Sequence, residues 1–130
     1  MPNIEKLNII LKKLQELMHI QDWDIKIKLV NKYEMKEEIN DDDAYGLSIR
    51  NINLKKAKIL LNIDHHPEDW YTTLIHELKH VQSSDMLNEI KKCMNDRQFN
   101  NLTYYEQLIE ILAKEFVEIY PESKFKEIIC

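Results

Sequence analysis

The run Thr72-Thr73-Leu74-Ile75-His76-Glu77-Leu78-Lys79-His80-Val81 restricts this chain more than any other stretch. It reads H-E-x-x-H with helical spacing, a pattern that supplies two zinc ligands and a general base. Side chains four apart on a helix share a face, so His76 and His80 can point at one Zn2+ ion. Glu77 is turned about 100° from His76, which sets its carboxylate beside the ion, where a bound water sits, as a base rather than a ligand. Zinc lowers the pKa of such a water to about 7. Glu77 is then the candidate catalytic residue, taking the proton as the water attacks a carbonyl. Tyr71, Leu74, Ile75, Leu78 and Val81 form an apolar stripe, so the motif helix is expected to pack into a core.

A core of that kind needs length, and 130 residues suffice for one domain spanning 1–130. The single Gly leaves no room for a Gly-rich phosphate loop. A net charge of -5 argues against direct nucleic-acid binding, whose phosphate contacts need a basic surface. Met1-Pro2-Asn3 leads straight into an amphipathic pattern with no signal sequence. No apolar run reaches the ~18 residues of a membrane span. Cys93 and Cys130 read as free thiols of a reducing compartment, without metal-ligand spacing to each other. The expectation is a cytoplasmic protein without a membrane role.

The rest of the chain reads as an α+β domain. Residues 3–19 repeat apolar residues at three-four spacing, with Asn3 as N-cap, a helix facing the core. Trp23–Val30, Ala44–Arg50 and Ala57–Ile63 read as three strands, the last the most buried, in an antiparallel or mixed sheet. Gly46 marks a bulge or a close backbone approach. Asn31 to Asp43 reads as a solvated acidic loop. The strand Ala57–Ile63 is a candidate edge for pairing with an extended peptide. Pro67 suits the first turn of the motif helix, with Glu68 and Asp69 against its positive end. His65 and His66 lie about 15 Å before His76 along the axis and read as loop or cap residues. Past His80 the pattern weakens at 82–85, giving either a continuation or a separate helix to about Arg97, with a break at Phe99-Asn100-Asn101. A last helix over about 103–120, capped by Asn101 or Thr103 and ended by Pro121, turns Leu108, Ile109, Leu112, Phe116 and Ile119 to the core.

A catalytic zinc takes three protein ligands and an open position. The downstream carboxylates are Glu106, Glu110, Glu115 and Glu118. Glu115 and Glu118 read as solvent-facing. Glu106 and Glu110 share a face, so one ligates and the other is a partner that orients a His. Glu110, beside small Ala113, is preferred, with Glu106 as the alternative.

The order helix, three strands, His76-Glu77-Leu78-Lys79-His80 helix and downstream Glu helix resembles a minimal zincin of the gluzincin type. Gln107-Leu108-Ile109-Glu110-Ile111-Leu112-Ala113 is similar to the Glu-bearing helix of ImmA/IrrE-type metallopeptidases and of small phage-encoded metallopeptidases. The resemblance covers roughly residues 20–120. It implies zinc on His76, His80 and Glu110, Glu77 as base, and a regulatory protein as substrate. The expected function is a zinc metallopeptidase acting on a protein or peptide, with Tyr71, Tyr104 or Tyr105 as helper for the oxyanion. The alternatives are a non-catalytic zinc-stabilised protein-binding module, which has no need of Glu77, and a metal-independent interaction domain.

Overall fold

The computed structural model describes residues 1–41, 44–65, 69–92 and 105–129, with the backbone alone at 87–91. In chain order these form α1 (Ile4–Met18), β1 (Asp24–Val30), α2 (Lys32–Ile39), β2 (Gly46–Asn51), β3 (Lys56–Asn62), α3 (Trp70–Lys92), α4 (Tyr105–Ile119), a 3-10 turn (Glu122–Phe125) and α5 (Lys126–Ile129). This is the expected α+β class, built on a small mixed sheet. No described helix is long and apolar enough to cross a membrane.

The strands run in the order β1-β3-β2, with β1 parallel and β2 antiparallel to β3. The register sorts the side chains by face. Ile25, Ala57 and Arg50 share one row, Ile27, Ile59 and Ser48 the next, and Leu29, Leu61 and Gly46 the third. On this inner face the rows are apolar at β1 and β3 and change character at β2. The helices α1 and α3 pack against it through Leu7, Ile10, Leu14, Leu74, Ile75 and Leu78, all 0% exposed. The helix α1 starts as expected, Asn3 accepting a hydrogen bond from the Lys6 amide at 3.0 Å.

Three expectations are corrected. The strand β3 is central, not an edge, so it has no free side for a peptide. Its apolar run Ile59-Leu60-Leu61, 0–1% exposed, fits a strand covered on both faces. The edge beside the motif helix is β2.

Residues 31–43 are not all loop, because α2 lies among them. Asn31 and Glu34 form a capping box, and Asn40 closes the helix in the left-handed region at φ 56°. Met35 is its one buried residue, packed on Val30 and Leu60 across the outer face of the sheet. A single apolar anchor makes no visible stripe, and the acidic composition masks the helix.

The core face of α4 is Ile109, Ala113 and Phe116 rather than the wider set expected. Leu108 and Ile119 are 47% and 64% exposed.

The motif helix α3 continues without a break to Lys92. In its polar stretch Ser83 and Ser84 are buried and donate their hydroxyls to the His80 carbonyl, at 3.2 and 2.7 Å, so burial leaves neither hydroxyl unpaired. His66, Pro67 and Glu68, the break at 99–101, the caps Asn101 and Thr103, Tyr104 and both cysteines lie outside the described residues.

Candidate metal centre

Two elements and the register between them build the site. The β2 positions that face inward meet one face of α3 in order: Gly46 at Thr73, Ser48 at Glu77, and Arg50 at His80. Gly46 is needed for closeness, not conformation, because its φ is not positive. A Cβ there would lie 2.7 Å from Thr73 Cγ2, 3.1 Å from the Leu60 carbonyl and 3.4 Å from Glu77 Cγ. Arg50 then ties the strand to the helix, donating to the His80 carbonyl at 3.0 Å and to Ser84 Oγ at 3.2 Å.

The helix α4 supplies the other wall. It runs antiparallel to α3: the Tyr105 hydroxyl lies 2.7 Å from Ser83 Oγ at one end, and the Tyr71 hydroxyl donates to the Tyr120 carbonyl at the other. Its first turn therefore passes over the His pair. The Nε2 atoms of His76 and His80 are 3.2 Å apart. Glu106 places one carboxylate oxygen 3.2 Å from His80 Nε2 and the other 3.6 Å from His76 Nε2. A tetrahedral zinc with bonds of about 2.0–2.1 Å keeps its donors about 3.3 Å apart. Two imidazole nitrogens and a carboxylate oxygen at these separations fit such an ion, and these three residues are the group among the described residues that can hold a metal.

Glu106, not the preferred Glu110, joins the two histidines. Glu110 is exposed and lines the same cleft one turn further along α4, toward the end that packs on Tyr71. The side chains of Glu106 and His76 are 67% and 27% exposed and that of His80 9%, so the centre opens to the cleft on the Glu106 side.

Glu77 is 8% exposed beside the triad. Burial raises its pKa above the ordinary carboxylate value. A hydrogen bond from Ser48 and the charges of His76 and Arg50 oppose that rise, while Glu106 adds to it. Burial lowers the pKa of His80, against the pull of Glu106. A neutral imidazole is the form that ligates a metal. His80 Nδ1 is buried with no hydrogen-bond partner among the described residues. With Nδ1 carrying the proton, Nε2 keeps its lone pair for the centre.

The remaining candidates fall elsewhere. Tyr71 is 2% exposed and its hydroxyl is engaged by Tyr120, so it is not a cleft residue. Tyr105 is the exception and borders the centre, its ring tilted against that of His80 with centroids 5.6 Å apart and its hydroxyl on Ser83. His65 packs edge-on against Tyr45 at 4.3 Å. Sequence reasoning missed Ser48 and Arg50, though the alternation of β2 already put both on the face of Gly46. The cleft, about 930 Å³, runs between β2 and α4 over the α3 residues Thr72, Thr73, His76, Glu77 and His80.

Comparison with family models, with curated proteins and with solved structures finds no match to this chain.

Proposed function

We propose that this chain is a metal-dependent peptidase of minimal zincin type, with His76, His80 and Glu106 as ligands and zinc as the fitting ion. The reading rests on one observation: three donors converge at 3.2–3.6 Å beside a buried carboxylate that is not one of them. A bound zinc would supply Lewis acidity toward a peptide carbonyl and lower the pKa of the hydrolytic water.

The chain's own residues do the rest. Glu77, oriented by Ser48, accepts a proton from the attacking water and returns it to the departing amine. Burial strengthens its hold on that proton, while the Arg50 charge and a bound cation would weaken it. Arg50 holds His80 in place through its backbone carbonyl. The β2 strand has β3 on one side and the cleft on the other, so an extended peptide can lie along it over His76 and Glu77.

A zinc-stabilised binding module closes its metal with four protein ligands and has no use for a buried base. Three converging donors and the retained Glu77 favour the peptidase. The test is hydrolysis of a quenched fluorescent peptide library by zinc-loaded protein. Cleavage by wild type, lost on chelation and reduced by about 100-fold or more in Glu77→Gln with zinc retained, is expected. Equal cleavage by Glu77→Gln would remove the base from the mechanism.

A further inference from the structure

The sheet face turned away from the cleft carries a charge pattern that the proposed reaction does not use. The register sets Lys58 between Lys26 and Ile49, and Lys56 between Asp24 and Asn51, while Lys28 follows Lys26 on β1. The helix α2 covers only the end of this face at Val30 and Leu60. Beyond it the strands form a shallow concavity of about 470 Å³, lined in part by Lys26, Lys56, Lys58 and Ile49. At about 3.3 Å per residue the four lysines extend over some 13 Å of strand.

Like charges placed directly across a strand pair repel, and Lys26 opposite Lys58 bears that cost. Among the described residues none of the four lysines has an ion-pair partner. The patch is also opposite in sign to the chain, whose net charge is -5. Ile49, 42% exposed within the patch, and Leu54, 63% exposed in the adjoining hairpin, add apolar contact.

We infer that this face docks a short acidic segment of a partner protein, its carboxylates on the lysines and an apolar side chain on Ile49. A short segment meets only the patch, whereas a long polyanion would also meet the acidic remainder of the surface. Single-stranded nucleic acid also calls for aromatic stacking platforms, and the rows of this open face contain none. The inference is independent of the metal centre, which lies on the other face of the sheet.

The test is fluorescence anisotropy of a short labelled polyglutamate peptide carrying two leucines, at low and at physiological salt. Wild type is set beside Lys26→Glu/Lys58→Glu and a control, Lys12→Glu/Lys13→Glu, whose sites are exposed on α1. Expected is saturable binding, weakened about ten-fold or more by the sheet variant and unchanged by the control. No binding, an equal loss in both variants, or tighter binding of an oligothymidylate would overturn the inference. If the sheet variant does not fold by circular dichroism, amide shifts of the wild type decide. Perturbation by the peptide confined to residues 24–28, 49 and 56–58 supports the docking face, and perturbation elsewhere contradicts it.

Discussion

Glu106 and Glu110 differ by one helical turn, and that turn separates a ligand from a neighbour. Glu106→Ala is expected to weaken zinc binding by about 100-fold or more, and Glu110→Ala by much less. Titration with a competing chelator measures both; equal losses would mean that the triad is wrongly assigned. Glu77 gives a second residue-scale expectation. Its folded-state pKa is raised above the ordinary 4.5 by burial. The native state therefore holds the proton more tightly than the unfolded chain, and stability falls as pH rises from that value through the folded pKa. In metal-free protein at pH 7, Glu77→Gln should melt above wild type, with the gap closing toward pH 4. Thermal melts in chelator check this; a variant melting below wild type at pH 7 would contradict the burial argument.

At the scale of elements, the contact of β2 with α3 carries the site. Gly46→Ala places a methyl group 2.7 Å from Thr73 Cγ2, which should cost about 1–3 kcal/mol. Adding Thr73→Ser removes that methyl and should recover part of the loss, the Leu60 carbonyl at 3.1 Å keeping the rest. Denaturant melts of the four proteins give the coupling, and its absence would place the strain elsewhere. The strength of the periodic signals explains what was legible in the sequence. The His76–His80 pair, the stripe of α1 and the alternation of the strands were visible because each repeats with the period of its element. The helix α2 was hidden, since Met35 alone anchors it and its start depends on the Asn31–Glu34 box. The order β1-β3-β2 was hidden too, because strand pairing is non-local. The choice of Glu106 over Glu110 followed from the same cause: it depends on where α4 crosses α3, which Ser83–Tyr105 and Tyr71–Tyr120 fix and local pattern does not.

For the whole molecule, the centre joins α4 to the helix that packs on the sheet, so an ion held there stabilises the native state by mass action. Zinc at one hundred times its dissociation constant should add about 2.7 kcal/mol and raise the melting temperature in a concentration-dependent way. Glu106→Ala should lose that rise. The most direct test of the centre is native mass spectrometry of purified protein reconstituted with zinc, wild type beside His76→Ala, Glu106→Ala, Glu110→Ala and Glu77→Gln. One zinc per chain in wild type, Glu110→Ala and Glu77→Gln, and none in His76→Ala or Glu106→Ala, is the result expected. Wild-type protein without stoichiometric zinc, or full occupancy in Glu106→Ala, would contradict the assigned metal centre.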